Sequence, residues 1–567
     1  MKKKQTKRGG TGFSPCGFLE TAAVLLILAA VSAAALAWFY RHGYLLYYGD
    51  AQAHLNIARR IIDSRTPNYE QIGTAWLPLP HLLMLPWVGN DEWWRNGLAG
   101  GVPSAICFVL AGMFLYLAAR RAWQSAAAAA ASVALFALNP NLLYLQSTPM
   151  TEAALFAALA ALLYFSVAFG DHPSWLKAAG AGIATLAATL TRYEGWFLIP
   201  FVALYLFVRT CKENRGHSGL ASWKRTLGPP HRRVPRIFLH VLKAGKHRMV
   251  FAILYGALAS LGPLYWLAHN GWGYSNVLEF YNGPYSAKAY YARQLAEGMQ
   301  PYPGDGDWIM AIRQYAEAAR LCLSWPLVGL AAAGALVALA RRKIWPLFLP
   351  ALPAAFYVLS MYSSGTPIYV PHLWPFSYYN TRYGLAALPL AAMAAGALVT
   401  AAPRRWRALF AGLVVMAGVS AWVGYPRAES WICWKESQVN SQARRAWTRQ
   451  AAEYLAANCR PEDGIIYSFG DLTAIFPQAG IPLVRTLHEG NRPYWDAAVA
   501  RPEFFLREEW VVAMSGDKLA TAVQRAERRG LRYRLVRTIA EKGAPVIEIY
   551  RRDGYAYSVH QSARREE

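Results

Sequence analysis

Carboxylates and guanidiniums recur in this chain where apolar stretches give way to polar ones. Asp50 lies in Tyr47-Tyr-Gly-Asp-Ala-Gln-Ala-His54, directly after the first long apolar run. Glu152 ends Gln146-Ser-Thr-Pro-Met-Thr-Glu152, Arg192 and Glu194 fall in Thr191-Arg-Tyr-Glu-Gly-Trp196, and Arg382 falls in Tyr378-Tyr-Asn-Thr-Arg-Tyr-Gly384. Arginine grips phosphate through paired, charge-assisted hydrogen bonds, and a carboxylate at the edge of a partly desolvated cavity can take a proton from a hydroxyl. Two acids and two arginines on one face of a membrane form the set needed to hold a phosphate and deprotonate an acceptor. Each residue also has a local explanation. Asp50 suits a helix N-cap, Glu152 a first-turn acid after Thr148, Arg192 a partner for Glu194 or a headgroup anchor, and Arg382 an interface marker.

His54 stands one helical turn after Asp50, and His81 and His372 fall in other polar connections. A divalent metal is possible there, although two ligands at a helix end do not complete a ligand set and a solvated histidine is the commoner case. Asp305-Gly-Asp307 lacks the remaining acids of a calcium loop and reads as a turn. Tyr48, His54, His81, Tyr193, Glu194, His372 and Tyr379 are the candidates for the wall of a substrate cavity around the charged set.

The elements that must position these residues follow from the apolar blocks. Of 567 residues 55% are hydrophobic, and they gather into runs of membrane-spanning length. An uncleaved first span covers about 18–40, although Ala35-Leu36-Ala37 resembles a cleavage site. Further runs lie near 97–119, 125–145, 152–169, 175–191, 196–208, 249–268, 322–340, 344–362, 383–400 and 408–425, roughly eleven spans for a hydrocarbon core of about 30 Å. Basic residues occupy every second connection, at 1–17, Arg120-Arg121, Lys177, 209–248, Arg341-Arg342-Lys343 and Arg404-Arg405-Arg407. By the positive-inside rule the N-terminus is cytoplasmic and residues 426–567 lie outside. The net charge of +25 is thereby explained by membrane topology and anionic lipid, not by nucleic acid.

Between spans, Leu55, Ala58, Ile61 and Ile62 recur at helical spacing, so 47–64 reads as a short amphipathic helix on the membrane surface. Thr74–Pro86, with three prolines, reads as chain that cannot form a regular helix. The connection 209–248 reads as a basic tether, and the outer connections 269–321 and 363–382 are rich in Tyr and Trp. The six alanines from Ala126 read as low-complexity helix. From Pro426 onward the pattern becomes that of a small α/β domain, with strands at 464–469 and 510–514, an Asp517-capped helix and a closing hairpin at 533–539 and 546–551. Six scattered cysteines imply neither a disulfide framework nor structural zinc.

In these motifs, taken with Trp76-Leu-Pro-Leu-Pro-His81, the sequence resembles the GT-C membrane glycosyltransferases. The likeness is to the bacterial branch related to protein O-mannosyltransferases and the aminoarabinose transferase of lipid A, and it covers about 18–425. It implies a mostly α, polytopic GT-C fold with amphipathic helices in the first outer loop, 41–96. It also implies a polyprenyl-phosphate-linked sugar as donor and transfer on the non-cytoplasmic face. The reading taken with it is inverting transfer to a hydroxyl acceptor on a glycan, lipid or protein at the inner or plasma membrane, with no cofactor required and a divalent metal the open alternative. The family's catalytic first-loop Asp falls on Asp50, with Glu152 the second candidate base and Arg192 and Arg382 the candidate donor-phosphate ligands. One departure is Ala51, where many members carry a second acid. The alternative is a non-catalytic polytopic protein such as a lipid or solute transporter, which would favour mid-membrane ionisable groups and paired halves. No two-half symmetry is visible.

The topology is testable by reporter fusions. A fusion after Arg551 is expected to report the outside and one within 209–248 the cytoplasm; the opposite result at either point breaks the common face of the charged set.

Overall fold

In the computed structural model the described residues are 15–217 and 234–553, with side chains over 18–210 and 249–553. The side chains of the basic N-terminus and of most of the 209–248 connection lie outside the described residues. Each apolar run becomes helical. The helices are Pro15–Arg41, Leu98–Trp123, Ala126–Ala137 with Pro140–Leu145, Glu152–Asp171, Trp175–Thr189, Glu194–His217, Val234–Tyr274, Trp325–Ala340, Phe348–Tyr362, Leu388–Val399 and Arg407–Gly424.

Fewer than eleven of these are long and apolar enough to cross a membrane. Among the described residues seven qualify, or eight if Trp308–Leu323 and Trp325–Ala340, bent by 106° at Ser324, count as one broken span. The shortfall has local causes. The run 125–145 is split where Asn139 caps a new helix, its side chain accepting from Asn141 N and Leu142 N. Trp175–Thr189 has 15 residues, about 22 Å at the α-helical rise, less than a hydrocarbon core.

Burial sorts the spans. In the most apolar stretch of Thr381–Val399, 83% of residues are buried, and in that of Glu152–Asp171, 72%, against 22% for Phe18–Arg41. The two helices that open at Arg382 and Glu152 therefore form the centre of the bundle. Small residues let neighbours close on them: a Cβ on Gly396 would strike Ser132 and the Ala128 carbonyl, and one on Gly334 would strike the Ala394 carbonyl. The alanine run from Ala126 is thus part of a packing face, with Ala128, Ala129 and Ala131 buried.

The C-terminal sheet has five strands, β1 (Ile465–Tyr467), β2 (Thr486–Leu487), β3 (Trp510–Met514), β4 (Tyr533–Ile539) and β5 (Ile547–Arg552). Their order is β2-β1-β3-β5-β4, parallel between β1 and its two neighbours and antiparallel along β3, β5 and β4. Asp517 caps Lys518–Arg528 as expected, accepting from Ala520 N. The sequence did not announce the two-residue strand β2, the short helices Ile475–Ala479, Tyr494–Ala500 and Pro502–Phe505, or the 27-residue helix Ile432–Asn458, which carries the chain from the last apolar helix to the sheet.

The 41–96 connection differs from its expectation. The helix Gly49–Arg60 does not lie on a lipid surface, because nine of its twelve residues are buried, Asn56, Arg59 and Arg60 among them. Its apolar residues Leu55 and Ala58 join one core with Trp94, Trp447, Leu455, Tyr467 and Trp510, so loop and sheet share their packing. Its polar residues are equally engaged. Asn56 donates to Thr473 O at 3.2 Å, and Arg59 pairs with Asp63 at 2.8 Å and Asp91 at 2.7 Å. Asp63 in turn accepts from the backbone of Leu483 and Val484. A second helix, Leu79–Met84, forms in the proline-rich stretch after all, because Pro78 and Pro80 sit at its start, where a missing N–H costs nothing.

Candidate active site

Tyr48 is the N-cap residue of the Asp50 helix and gives no side-chain cap, so Asp50, in the first turn, is not the cap the sequence allowed. Its carboxylate turns instead to Arg382, Oδ2 lying 2.6 Å from Nη2. Arg382 is the second residue of the turn Thr381–Ala387, entered through Asn380 in the left-handed region at φ 54°. That guanidinium reaches three acids. Besides Asp50, its Nε lies 3.3 Å from Glu152 and its Nη1 3.4 Å from Glu436, while its backbone N–H donates to Glu436 at 3.1 Å.

Arg192 is held on the other side of Glu152. It donates to Glu194 at 2.8 Å, to Glu152 at 3.3 Å, to Thr151 Oγ1 at 2.9 Å and to Tyr357 Oη at 2.9 Å, and Tyr357 also bonds Glu194. Tyr383 lies between the two arginines, its ring centroid 4.7 Å from the Arg192 guanidinium and 4.8 Å from that of Arg382. Glu152 therefore bridges two cations that one aromatic ring separates.

These groups floor a cavity of about 480 Å³, lined by Asp50, His54, Arg192, Tyr193, Glu194, Tyr379 and Arg382 and walled by Trp76, Phe280, Tyr285, Tyr290, Tyr369 and Tyr383. Its volume is in the range of small-molecule sites. Three candidates stand behind the wall. Tyr48 is buried, donating to Cys433 O at 2.8 Å with Arg382 over its ring at 5.0 Å; Glu152 is 4% exposed; His81 is fully buried. His372 is exposed on the 363–382 loop and does not line the cavity.

Sequence reasoning missed Glu436, which sits 1% exposed near the start of the Ile432–Asn458 helix. Its only signal is an acid one turn past Trp431 in a segment that otherwise reads as the approach to a soluble domain. Burial pushes its carboxyl up, while the Arg382 guanidinium and backbone draw it down. Asp305 and Asp307 serve locally: Asp305 accepts from Tyr291 and Ser364, and Asp307 caps Trp308–Leu323.

His54 Nδ1 and His81 Nε2 lie 2.9 Å apart. Burial, then the neighbouring arginines, lowers His54 to about 3, and burial likewise holds His81 well below its ordinary value. Both rings are neutral at physiological pH, one donating to the other, so neither serves as an imidazolium acid. Among the described residues no three of His, Cys, Asp or Glu group to hold a metal.

A lowered histidine gives stability that is whole above the unfolded value of 6.5 and is lost as pH falls toward 3, because the unfolded chain then binds the extra proton. His54 alone should therefore cost about 2 kcal/mol of stability at pH 5 relative to pH 7.5. Thermal unfolding of purified protein is expected to show this acid loss, reduced in His54→Gln; an equal loss in the variant contradicts the assignment.

Residues 95–221 match the family model described as dolichyl-phosphate-mannose-protein mannosyltransferase, a stretch containing Glu152, Arg192 and Glu194. No curated protein matches the chain. Among solved structures it is similar to ArnT from Cupriavidus metallidurans bound to undecaprenyl phosphate, with 15% identity over 94% of this chain and 98% of that one and a TM-score of 0.46. The apo form of that protein gives 14% identity over 94% and 97%, with a TM-score of 0.48. The archaeal oligosaccharyltransferase AglB from Archaeoglobus fulgidus, in complex with an inhibitory peptide and a dolichol-phosphate, gives 13% over 88% and 70%, with a TM-score of 0.43. Likeness at that level transfers neither a substrate nor a residue's role. The family match covers residues 95–221, and seven helices among the described residues are long and apolar enough to cross a membrane.

Proposed function

We propose that the protein is an inverting glycosyltransferase that moves a sugar from a polyprenyl-phosphate donor to a hydroxyl acceptor on the outer face of the membrane. The observation that carries this reading is the ion pair of Arg382 with Asp50 at the cavity floor. Every acid paired with the two arginines is buried except one: the side chains of Glu152, Glu194 and Glu436 are 6%, 4% and 1% exposed, against 42% for Asp50. Asp50 is thus the partner that an incoming phosphate can displace from Arg382.

The exchange has a chemical consequence. While paired, the Asp50 carboxylate is occupied by the Arg382 guanidinium. Donor phosphate takes the freed N–H groups of Arg382, and the displaced Asp50 carboxylate is left to accept a hydrogen bond from the acceptor hydroxyl beside the anomeric carbon. The acceptor O–H then breaks, its proton passing to Asp50, as the acceptor oxygen bonds to that carbon. The bond from carbon to phosphate oxygen breaks on the opposite side with its electron pair, leaving polyprenyl phosphate at Arg382, and a single displacement inverts the centre. Arg192, whose partners Glu152, Glu194, Thr151 and Tyr357 are buried, braces Tyr383 and the Arg382 side of the site. Glu152, behind both arginines, fits the role of their common anchor better than that of the base. The outer-loop tyrosines and Trp76 supply flat faces of the kind on which sugar rings stack.

General-base removal costs about 10²–10⁴-fold in rate. Glycolipids and glycans compared between cells with and without the protein would identify the product, and turnover to it is expected to fall by about that range in Asp50→Asn. Arg382→Lys, which loses the planar fork, is expected to raise the donor concentration required. If Asp50→Asn keeps wild-type turnover and Glu152→Gln is dead, the base is Glu152; if both keep it, the mechanism is wrong.

A further inference from the structure

A second cavity, about 330 Å³, opens on the opposite face of the Asp50 helix. Asp50 and His54 face the first cavity; Gln52, Leu55 and Asn56, roughly half a helical turn round, line the second. Three guanidiniums complete it, Arg95 from the first outer loop and Arg445 and Arg449 from the Ile432–Asn458 helix, and no carboxylate lines it. None of the three is in an ion pair among the described residues. Arg95 has one long bond to Gly480 O at 3.5 Å, Arg445 donates through Nε to Ser441 at 3.0 Å, and Arg449 makes no side-chain hydrogen bond there. Asp471 faces Arg444, which does not line the cavity, and Glu92 and Glu453, one turn from Arg95 and Arg449 on their own helices, lie outside the lining and form no ion pair with them among the described residues. Three uncompensated cations around one concavity are costly through mutual repulsion and become favourable when an anion enters.

The geometry of Arg445 favours a phosphate. Its guanidinium lies 3.8 Å from the centroid of the Tyr47 ring, which fixes its plane while Nε is already engaged, leaving the two terminal amino groups as a preset fork. The position fixes the level. Gly43, Leu46 and Tyr47, which line the cavity, come within six residues of the end of the apolar helix Phe18–Arg41, and Trp87 and Trp93 stack nearby at 5.7 Å. Tryptophan and a span end together mark the headgroup layer. We propose that this cavity is a binding site for a phosphate-bearing anion at the outer membrane rim, separate from the donor-phosphate position at Arg382.

The source is either a lipid headgroup or a soluble phosphate, and the test separates them. Full-length protein in neutral detergent is titrated with phosphatidylglycerol and read by native mass spectrometry, and separately with inorganic phosphate read by calorimetry. One arm is expected to bind a single equivalent, with affinity falling about tenfold in Arg449→Gln and further in the Arg445→Gln, Arg449→Gln pair. Arg528→Gln, an exposed arginine on the sheet's own helix, is expected to change nothing. Arg449 contacts no described side chain by hydrogen bond, so its variant keeps the fold and isolates the charge. Binding of phosphatidylglycerol without phosphate identifies a headgroup site, and the reverse a soluble-anion site. Binding of neither, binding unchanged in the double variant, or an equal loss in Arg528→Gln overturns the proposal.

Discussion

The structure is arranged around two buried guanidiniums that share one carboxylate. Arg192 and Arg382 are largely removed from water and lie on either side of Tyr383 with Glu152 between them. Leaving one such charge without its partner costs about 3–5 kcal/mol, so each segment that supplies a partner is constrained in position by the others. Those segments are distant in sequence: the 41–96 connection, the starts of the helices at 152, 194 and 381, Tyr357, and the Ile432–Asn458 helix. The polar set thus does for one end of the bundle what small-residue packing does for its middle.

The same arithmetic sets the chemistry. Two guanidiniums face four carboxyl groups, Asp50, Glu152, Glu194 and Glu436, a formal charge of −2 if all ionise. An anion can join only if one carboxylate leaves or takes a proton. Asp50 is the one placed to leave, being partly exposed. Glu436, pushed up by burial, is the one disposed to take a proton as negative charge arrives. On the proposed function, binding a phosphate and freeing the Asp50 carboxylate are one event.

Much of this was legible in the sequence, for a physical reason: charge next to an apolar run is costly enough to stand out. Asp50, Glu152, Arg192 and Arg382 were found that way, and the structure brings all four within one connected set. What was not legible depends on tertiary contact. The burial of the Asp50 helix could not be read from its periodicity, because the residues opposite Leu55 and Ala58 are polar and yet are covered by loop and sheet. Glu436 was hidden because its helix is polar along much of its length, and only the fold shows that its first turns close the site while its later turns carry the sheet. The span count exceeded the helices of spanning length because hydropathy registers an apolar run without registering the Asn139 cap that splits it or the 15-residue length of Trp175–Thr189.

The claim at the centre is that Asp50 and the donor phosphate compete for Arg382. It is tested most directly by the affinity of Asp50→Asn for polyprenyl phosphate, measured on purified protein against wild type. Removing the competing charge leaves Arg382 free for the lipid phosphate, so the account predicts binding several-fold tighter in the variant, at the order of one charge-assisted contact. A loss of about tenfold or more would show that Asp50 helps to hold the phosphate, and would contradict the exchange.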